Sequence, residues 1–299
     1  VATTTEPDPT TEAASGRFAP GPFEFVRALA VELSKGEVRL PSYPDVAERV
    51  RAALDDPRTS PARIAQVVGS DPALAARLLR VANSAVFNPA GKPITALPQA
   101  IARLGHELVR CAAVSFAVSQ MKLADELYAV RPQLQELWRK STLVAAIAHE
   151  VARETRAANP DEATIAGLLH NVGRLYIVAR AERYVATFEH SGVWDEVLHD
   201  WHPQIGRSIL EHWKFPEHIA DAVAEQNTWD RARSPRSGLP DVLVCATSLV
   251  PCVYYRELIE DTLPAVSAFQ RLGLDVDRCR HLLTESAGRI RQLRDALLG

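Results

Sequence analysis

The segment Leu168-Leu169-His170-Asn171-Val172-Gly173-Arg174 sets an imidazole beside a primary amide at the end of an apolar run. A neutral imidazole binds transition metals, and a carboxylate beside it would add the charge that draws a divalent cation. Asn171 offers only a carbonyl dipole. Histidines also gather at His190, His199, His202, His212 and His218, and their spacings of 9, 3, 10 and 6 match no metal scheme as a set. His199 and His202 would share one face of a continuous helix and could chelate an ion. Pro203 argues instead for a helix start at His202. His149 and Glu150 are adjacent, and adjacent helical residues do not face one another. Cys111, Cys245, Cys252 and Cys279 form no close C-x-x-C pair. They are read as small buried hydrophobes of a reducing compartment.

Helical periodicity dominates the elements that must position these groups. Val46, Val50, Ala53 and Leu54 recur at helical spacing after Ser42, an N-cap candidate. Ser60-Pro61 and Asp71-Pro72 are further starts, with proline in the first turn, where its missing N–H costs nothing. Leu97, Ile101 and Leu104 repeat the pattern up to Gly105, and a long apolar helix follows from Glu107 to about Lys122. After a junction at 123–132, Leu134, Leu137, Trp138, Ser141, Val144, Ala145, Ala148 and Ala152 keep a 3-4 repeat. Asn159-Pro160-Asp161 then caps the helix that carries Ile165, Leu168 and Leu169. Leu175–Val178 resembles a strand in composition, but without a partner strand it is read as buried helix. Further helices are expected at about 182–190, 193–199, 203–213 and 216–226, with two or three closing the chain. The class is all-α. Trp138, Trp201 and Trp213 are read as core anchors, whereas Trp194 and Trp229 are either partner contacts or partly buried.

Bulk properties bound the rest. The chain has 299 residues, 47% hydrophobic, with a formal net charge of −3. That charge gives no support for nucleic-acid binding, which needs a basic face. The apolar stretch Leu143–Ala148 is far shorter than the about 20 residues of a membrane span. Residues 1–21 lack both a basic n-region and an apolar h-region, so they are read as a disordered tail and not a signal peptide. The expected organisation is a tail at 1–21, an N-terminal helical lobe at 22–125, and a second lobe with a C-terminal helical extension at 126–299. A cytoplasmic location is expected.

Eight segments together carry a resemblance. In the first lobe they are Leu40-Pro41-x-x-Pro44, Ser70-Asp71-Pro72-Ala73-Leu74, Leu78-Leu79-Arg80-Val81-Ala82-Asn83-Ser84-Ala85 and Ala100-Ile101-x-x-Leu104-Gly105. In the second they are Trp138-Arg139-Lys140-Ser141, Ala166-Gly167-Leu168-Leu169-His170-Asn171-Val172-Gly173, His202-Pro203-x-Ile205-Gly206 and Trp213-x-Phe215-Pro216. In this order and spacing, over about 38–228, they resemble the HDOD family, a non-catalytic relative of the HD-domain phosphohydrolases. The resemblance implies two helical lobes, the C-terminal one HD-like. An HD site collects histidines and aspartates around one or two cations that activate water for phosphoester attack. On that pattern Lys140 falls where the first histidine would sit, and Asn171 replaces the aspartate. Gln226-Asn227 replace a His-His pair, and Thr247 replaces the last aspartate. His170 and His202 are the residual ligand positions, and Arg174 stands where many HD enzymes carry lysine. The Gly-Tyr-Pro signature of the relatives that cleave cyclic di-GMP is absent from the sequence.

No cofactor or metal is expected, because two imidazoles satisfy neither a catalytic zinc nor a hard cation. The implied function is that of a bacterial regulatory protein without enzymatic activity, acting on a signalling partner protein, with no membrane or nucleic-acid partner. Lys140, His170, Arg174 and His202 either form a cationic pocket for a nucleotide or other anion, or are solvated or salt-bridged around a filled-in site. The latter is the plainer expectation. A surviving phosphohydrolase would need Glu162, Asp200 or Asp241 to reach the pocket. Asp71, Asn83 and Ser84 read as structural caps, or Asn83 and Ser84 edge an interlobe interaction surface.

Overall fold

The computed structural model describes residues 25, 27–29, 31, 32, 35, 45–121, 124–181, 193–228 and 238–298. Among them are helices and no strand. The expected helix at 182–190, Ser42, Trp229 and the 1–21 tail lie outside the described residues. No described helix is long and apolar enough to cross a membrane.

The first group of helices is α1 (Asp45–Asp55), α2 (Pro61–Val68), α3 (Pro72–Ala82) and α4 (Leu97–Met121). Their starts follow local chemistry. The Ser60 side chain accepts from the Arg63 N–H at 3.2 Å. Asp71 accepts from the Ala73 and Leu74 N–H groups at 2.9 and 3.0 Å. Each bond satisfies an orphan donor of a first helical turn. Inside α4, Gly105 has φ 74° and ψ 169°. Glycine reaches this region without a Cβ clash, so the break falls there. Asn83 closes α3 in right-handed, not left-handed, geometry, with φ −93° and ψ 0°.

The second group opens with a 3₁₀ turn (Asp125–Val130) and the central helix α5 (Arg131–Thr155). Then come α6 (Pro160–Leu169), α7 (Val172–Arg180), α8 (Val193–His212), α9 (Glu217–Ala224) and α10 (Leu239–Ser248). The chain closes with α11 (Val250–Tyr254), α12 (Leu258–Ala265), α13 (Ser267–Arg271), α14 (Val276–Glu285) and α15 (Ala287–Leu298). The segment 175–178 is helical, in α7. α8 runs unbroken through Pro203, so the expected start at His202 is corrected. Trp138 and Trp213 are buried, but Trp201 is 41% exposed and is not a core anchor. It precedes the inward-facing His202, and neighbouring helical residues point to different faces.

α5 is the packing centre, in contact with α6, α7, α10 and α15. Its tightest approach is to α6, where a Cβ at Gly167 would lie 2.6 Å from Ala145 Cα. α15 also packs against α3, and its Ile290, Leu293 and Leu297 are buried. The C-terminal helices therefore complete the fold. Arg77 of α3 donates to the Leu297 carbonyl and to Ser119 Oγ, with its guanidinium 5.2 Å over the Trp138 ring. Asp55 of α1 accepts from Arg110 at 2.7 Å and pairs with Lys214 at 3.0 Å, tying α1 to the turn after α8.

Buried carboxylates are matched by guanidinium groups. Glu150 accepts from Arg153, Arg289 and Ser286 at 2.6–3.0 Å. Asp241 is 1% exposed and accepts both Nε and Nη2 of Arg271, at 3.0 and 2.7 Å. Removing one partner strands a buried charge and costs about 3–5 kcal/mol, whereas exposed pairs are worth about 0–1 kcal/mol. Arg271→Ala should therefore destabilise the fold by about 3 kcal/mol or more, and Arg280→Ala, which breaks the exposed pair with Glu260, by under about 1 kcal/mol. Urea unfolding of both variants checks the contrast.

Candidate functional site

The α6–α7 turn is where the site begins. His170 ends α6 and Asn171 opens α7. The turn can press against α8 only because residue 173 has no side chain. A Cβ at Gly173 would fall 2.0 Å from the His202 carbonyl oxygen and 2.8 Å from Gly206 N. This contact sets α7 directly on the helix that carries His202.

Pro203 shapes the same place. As a proline it cannot donate to the His199 carbonyl one turn earlier. That carbonyl accepts instead from Asn227 Nδ2 at 2.7 Å. The released backbone acceptor thus anchors the segment after α9 to the cavity wall. It also explains why a proline inside α8 does not end the helix. His199 and His202 consequently both line the cavity.

All eight pocket positions expected from the sequence surround one cavity of about 380 Å³. Lys140 comes from α5, and His170, Asn171 and Arg174 from the α6–α7 turn. His202 comes from α8, Gln226 and Asn227 from the end of α9, and Thr247 from α10. The site is open, not filled in. Ser248, Pro251, Thr262, Ala265 and Val266 complete the wall. Sequence reasoning missed these five. Nothing in their local pattern marks them, and only the folding back of α10–α13 brings them here.

Both buried imidazoles are held in one tautomer. His170 Nδ1 lies 2.7 Å from the Gly167 carbonyl, and His202 Nδ1 lies 2.6 Å from the Leu198 carbonyl. A carbonyl only accepts, so each Nδ1 carries the proton and each Nε2 keeps its lone pair. Burial pushes both pKa values down to about 3, helped by the positive charge of Arg174 and, for His170, of Lys140. Burial, then Arg174, also lowers the Lys140 pKa.

The substituted positions divide into two kinds. Gln226 Nε2 donates to the His170 and Val223 carbonyls at 2.9 and 2.8 Å. Thr247 Oγ1 donates to the Val244 carbonyl at 2.9 Å. With Asn227, these side chains have been absorbed into the scaffold. Asn171 differs, because its Nδ2 is buried and has no hydrogen-bond partner among the described residues. Arg174 Nε is in the same condition, as are the Nε atoms of Arg110, Arg131 and Arg180 outside the cavity. A buried unsatisfied donor costs about 1–3 kcal/mol, so these two atoms are the polar anomaly of the cavity.

A catalytic metal does not fit this donor set. The wall holds imidazoles, amides, hydroxyls and two cations, and no carboxylate. Among the described residues no group of three or more His, Cys, Asp or Glu could hold an ion. The carboxylates considered from sequence are engaged elsewhere or turned away. Asp241 pairs with Arg271, Glu162 pairs with His218 at 3.2 Å, and Asp200 is exposed. His149 is a core histidine bonded to Thr164, and Glu150 belongs to the α15 ion-pair cluster. Asn83 and Ser84 lie apart from the cavity. The Asn83 side chain exchanges bonds with the Ile94 backbone N–H and carbonyl at 2.8 and 2.7 Å, clasping the loop between α3 and α4. Ser84 is buried.

An all-helical protein with an HD-like cavity and no carboxylate in its wall is the class that fold and site define. A model of the HDOD domain family matches residues 40–229, and the chain belongs to that family. A provisionally named metal-dependent phosphohydrolase from Shewanella amazonensis SB2B has a similar structure, with TM-score 0.70 and 24% identity over 92% of this chain and 99% of that one. An HDOD domain protein of unknown function from Geobacter sulfurreducens has TM-score 0.58 and 24% identity over 92% and 98%. A provisionally named signal transduction protein from Marinobacter aquaeolei VT8 has TM-score 0.53 and 20% identity over 92% and 65%. These structures support the fold alone. No curated protein matches the chain.

Two predictions follow from the geometry. Gly173→Ala drives a methyl group into backbone and should cost about 3 kcal/mol or more, while Gly206→Ala meets only a Val223 methyl at 3.0 Å and should cost less. Thermal unfolding of the two variants measures the difference. The depressed histidines also set a pH dependence. Between pH about 6.5 and about 3 the unfolded chain binds protons that native His170 and His202 refuse, so stability falls as pH drops through that window. From pH 7 to 5 each ring should account for a loss of roughly 2 kcal/mol, and His202→Gln should remove its share in urea titrations at the two pH values.

Proposed function

We propose that this chain is a regulatory HDOD protein without phosphohydrolase activity that works by binding partner proteins in the bacterial cytoplasm. One observation carries the reading. The cavity wall has an amide at 171, an ammonium at 140, a hydroxyl at 247 and no carboxylate. Hydrolysis of the HD kind needs cations to activate water, and cations need that negative charge. Lys140 and Arg174 repel an ion that the imidazoles of His170, His202 and the exposed His199 would have to hold without a carboxylate. The Marinobacter neighbour named for signal transduction accords with a regulatory role. Exposed Tyr254 and Tyr255 after α10 are residues of the type enriched at protein interfaces.

The test combines metal analysis, an activity assay and capture of partners. The untagged protein should purify with substoichiometric Mn, Fe, Ni and Zn. It should leave a generic phosphodiester and cyclic di-GMP intact when those ions are supplied. Asn171→Asp alone should not restore turnover, because positions 140, 226, 227 and 247 still lack ligands. A stoichiometric ion together with metal-dependent cleavage would overturn the reading. Affinity capture from the native cell, repeated with Tyr254→Ala and Tyr255→Ala, should yield partner proteins that the variants lose.

A further inference from the structure

The cavity holds an excess of donors and positive charge that the fold does not use. Asn171 is 2% exposed, lines the cavity and has an unpartnered Nδ2. Arg174 Nε is buried and unpartnered one turn further along. Neither Arg174 nor Lys140 makes an ion pair among the described residues. Asp195 and Glu136 act on them only through space. Lys140 is exposed and Arg174 half-buried, whereas the deeply buried charges of Glu150 and Asp241 are matched by arginines. The same donors stand at the N-terminus of α7, where orphan N–H groups and the helix dipole favour an anion.

The opposite wall has other chemistry. Thr247, Ser248 and Thr262 bring hydroxyls, and Pro251, Ala265 and Val266 bring apolar surface. A volume of about 380 Å³ falls in the range of small-molecule pockets and exceeds what a bare oxyanion fills. The Nε2 lone pair of His170 accepts a hydrogen bond, which suits a hydroxyl group on the body of a ligand.

We infer that this cavity binds a small phosphomonoester, with Arg174, Lys140 and Asn171 on the phosphoryl group and the hydroxyl and apolar wall on an uncharged sugar-containing body. The inference rests on reading the site as one that holds no catalytic metal. Arginine matches phosphate with its fork of donors, and lysine adds a point charge. A carboxylate at 171, the group a metal would need, would repel this ligand.

Isothermal titration of the full chain at constant ionic strength tests it, with inorganic phosphate, ribose 5-phosphate, adenosine 5′-monophosphate and adenosine as probes. The phosphorylated probes should bind, one of the two esters more tightly than inorganic phosphate, and adenosine should not bind. The tighter ester identifies the body as sugar or nucleoside. Arg174→Gln and Lys140→Gln, both at sites that are not fully buried, should each weaken binding by about ten- to hundredfold without loss of helicity, and Arg280→Gln should leave it unchanged. Absence of heat with every phosphorylated probe into the millimolar range would overturn the inference. So would affinities in the Arg174 and Lys140 variants equal to the parent's. Chromatography of the probe after incubation separates the two readings. Recovery of intact ester leaves both standing, whereas bound and dephosphorylated ester sinks the non-catalytic reading and keeps the binding site.

Discussion

His170 and His202 are buried beside Arg174, and they can be accommodated only as neutral rings. A third and fourth positive charge beside Arg174 and Lys140 would face strong repulsion with no carboxylate in the wall to offset it. The carbonyls of Gly167 and Leu198 select the Nδ1–H tautomer in both. This is the orientation that a backbone carbonyl imposes on metal-bound histidines. The orientation is retained, but the anionic partners that would make it useful to a cation are gone. Much else about the site follows from that mismatch between preserved geometry and altered charge.

The geometry is preserved by two close backbone approaches and one side-chain clasp. Gly173 admits the His202 carbonyl where a methyl would otherwise stand, and Gly167 admits the backbone of α5 at Ala145. Pro203 releases the His199 carbonyl to Asn227. The two glycines hold α5 against α6 and α7 against α8 without help from the cavity side chains. A scaffold fixed in this way can lose its ligands one at a time without collapsing.

Local chemistry was legible in the sequence wherever one turn of helix decides the outcome. The caps at Ser60, Asp71 and Asn159 and the break at Gly105 all follow from residues within a few positions. The pocket set was legible through the resemblance, which places Lys140, His170, Asn171, Arg174, His202, Gln226, Asn227 and Thr247 on a shared wall. Long-range compensation was not legible. Pro203 reads as a helix start because its rescue comes from Asn227, far along the chain. Trp201 reads as core because periodicity does not reveal which face of α8 meets α7. Asp241 reads as a spare ligand until Arg271, thirty residues later, takes it.

The hydrogen bonds of the altered positions distinguish decay from reuse. A site that had only lost its metal would be expected to relax, with each replacement finding a backbone partner. Gln226, Asn227 and Thr247 do this, and each now stabilises a helix end or a turn. Asn171 and Arg174 do not, and a buried donor of each is left without a partner among the described residues. Leaving two buried donors unsatisfied costs about as much as several well-made hydrogen bonds contribute. Folding stability alone supplies no reason to keep them so. An acceptor from outside the chain supplies one, and the charges of Arg174 and Lys140 favour an anion in that role.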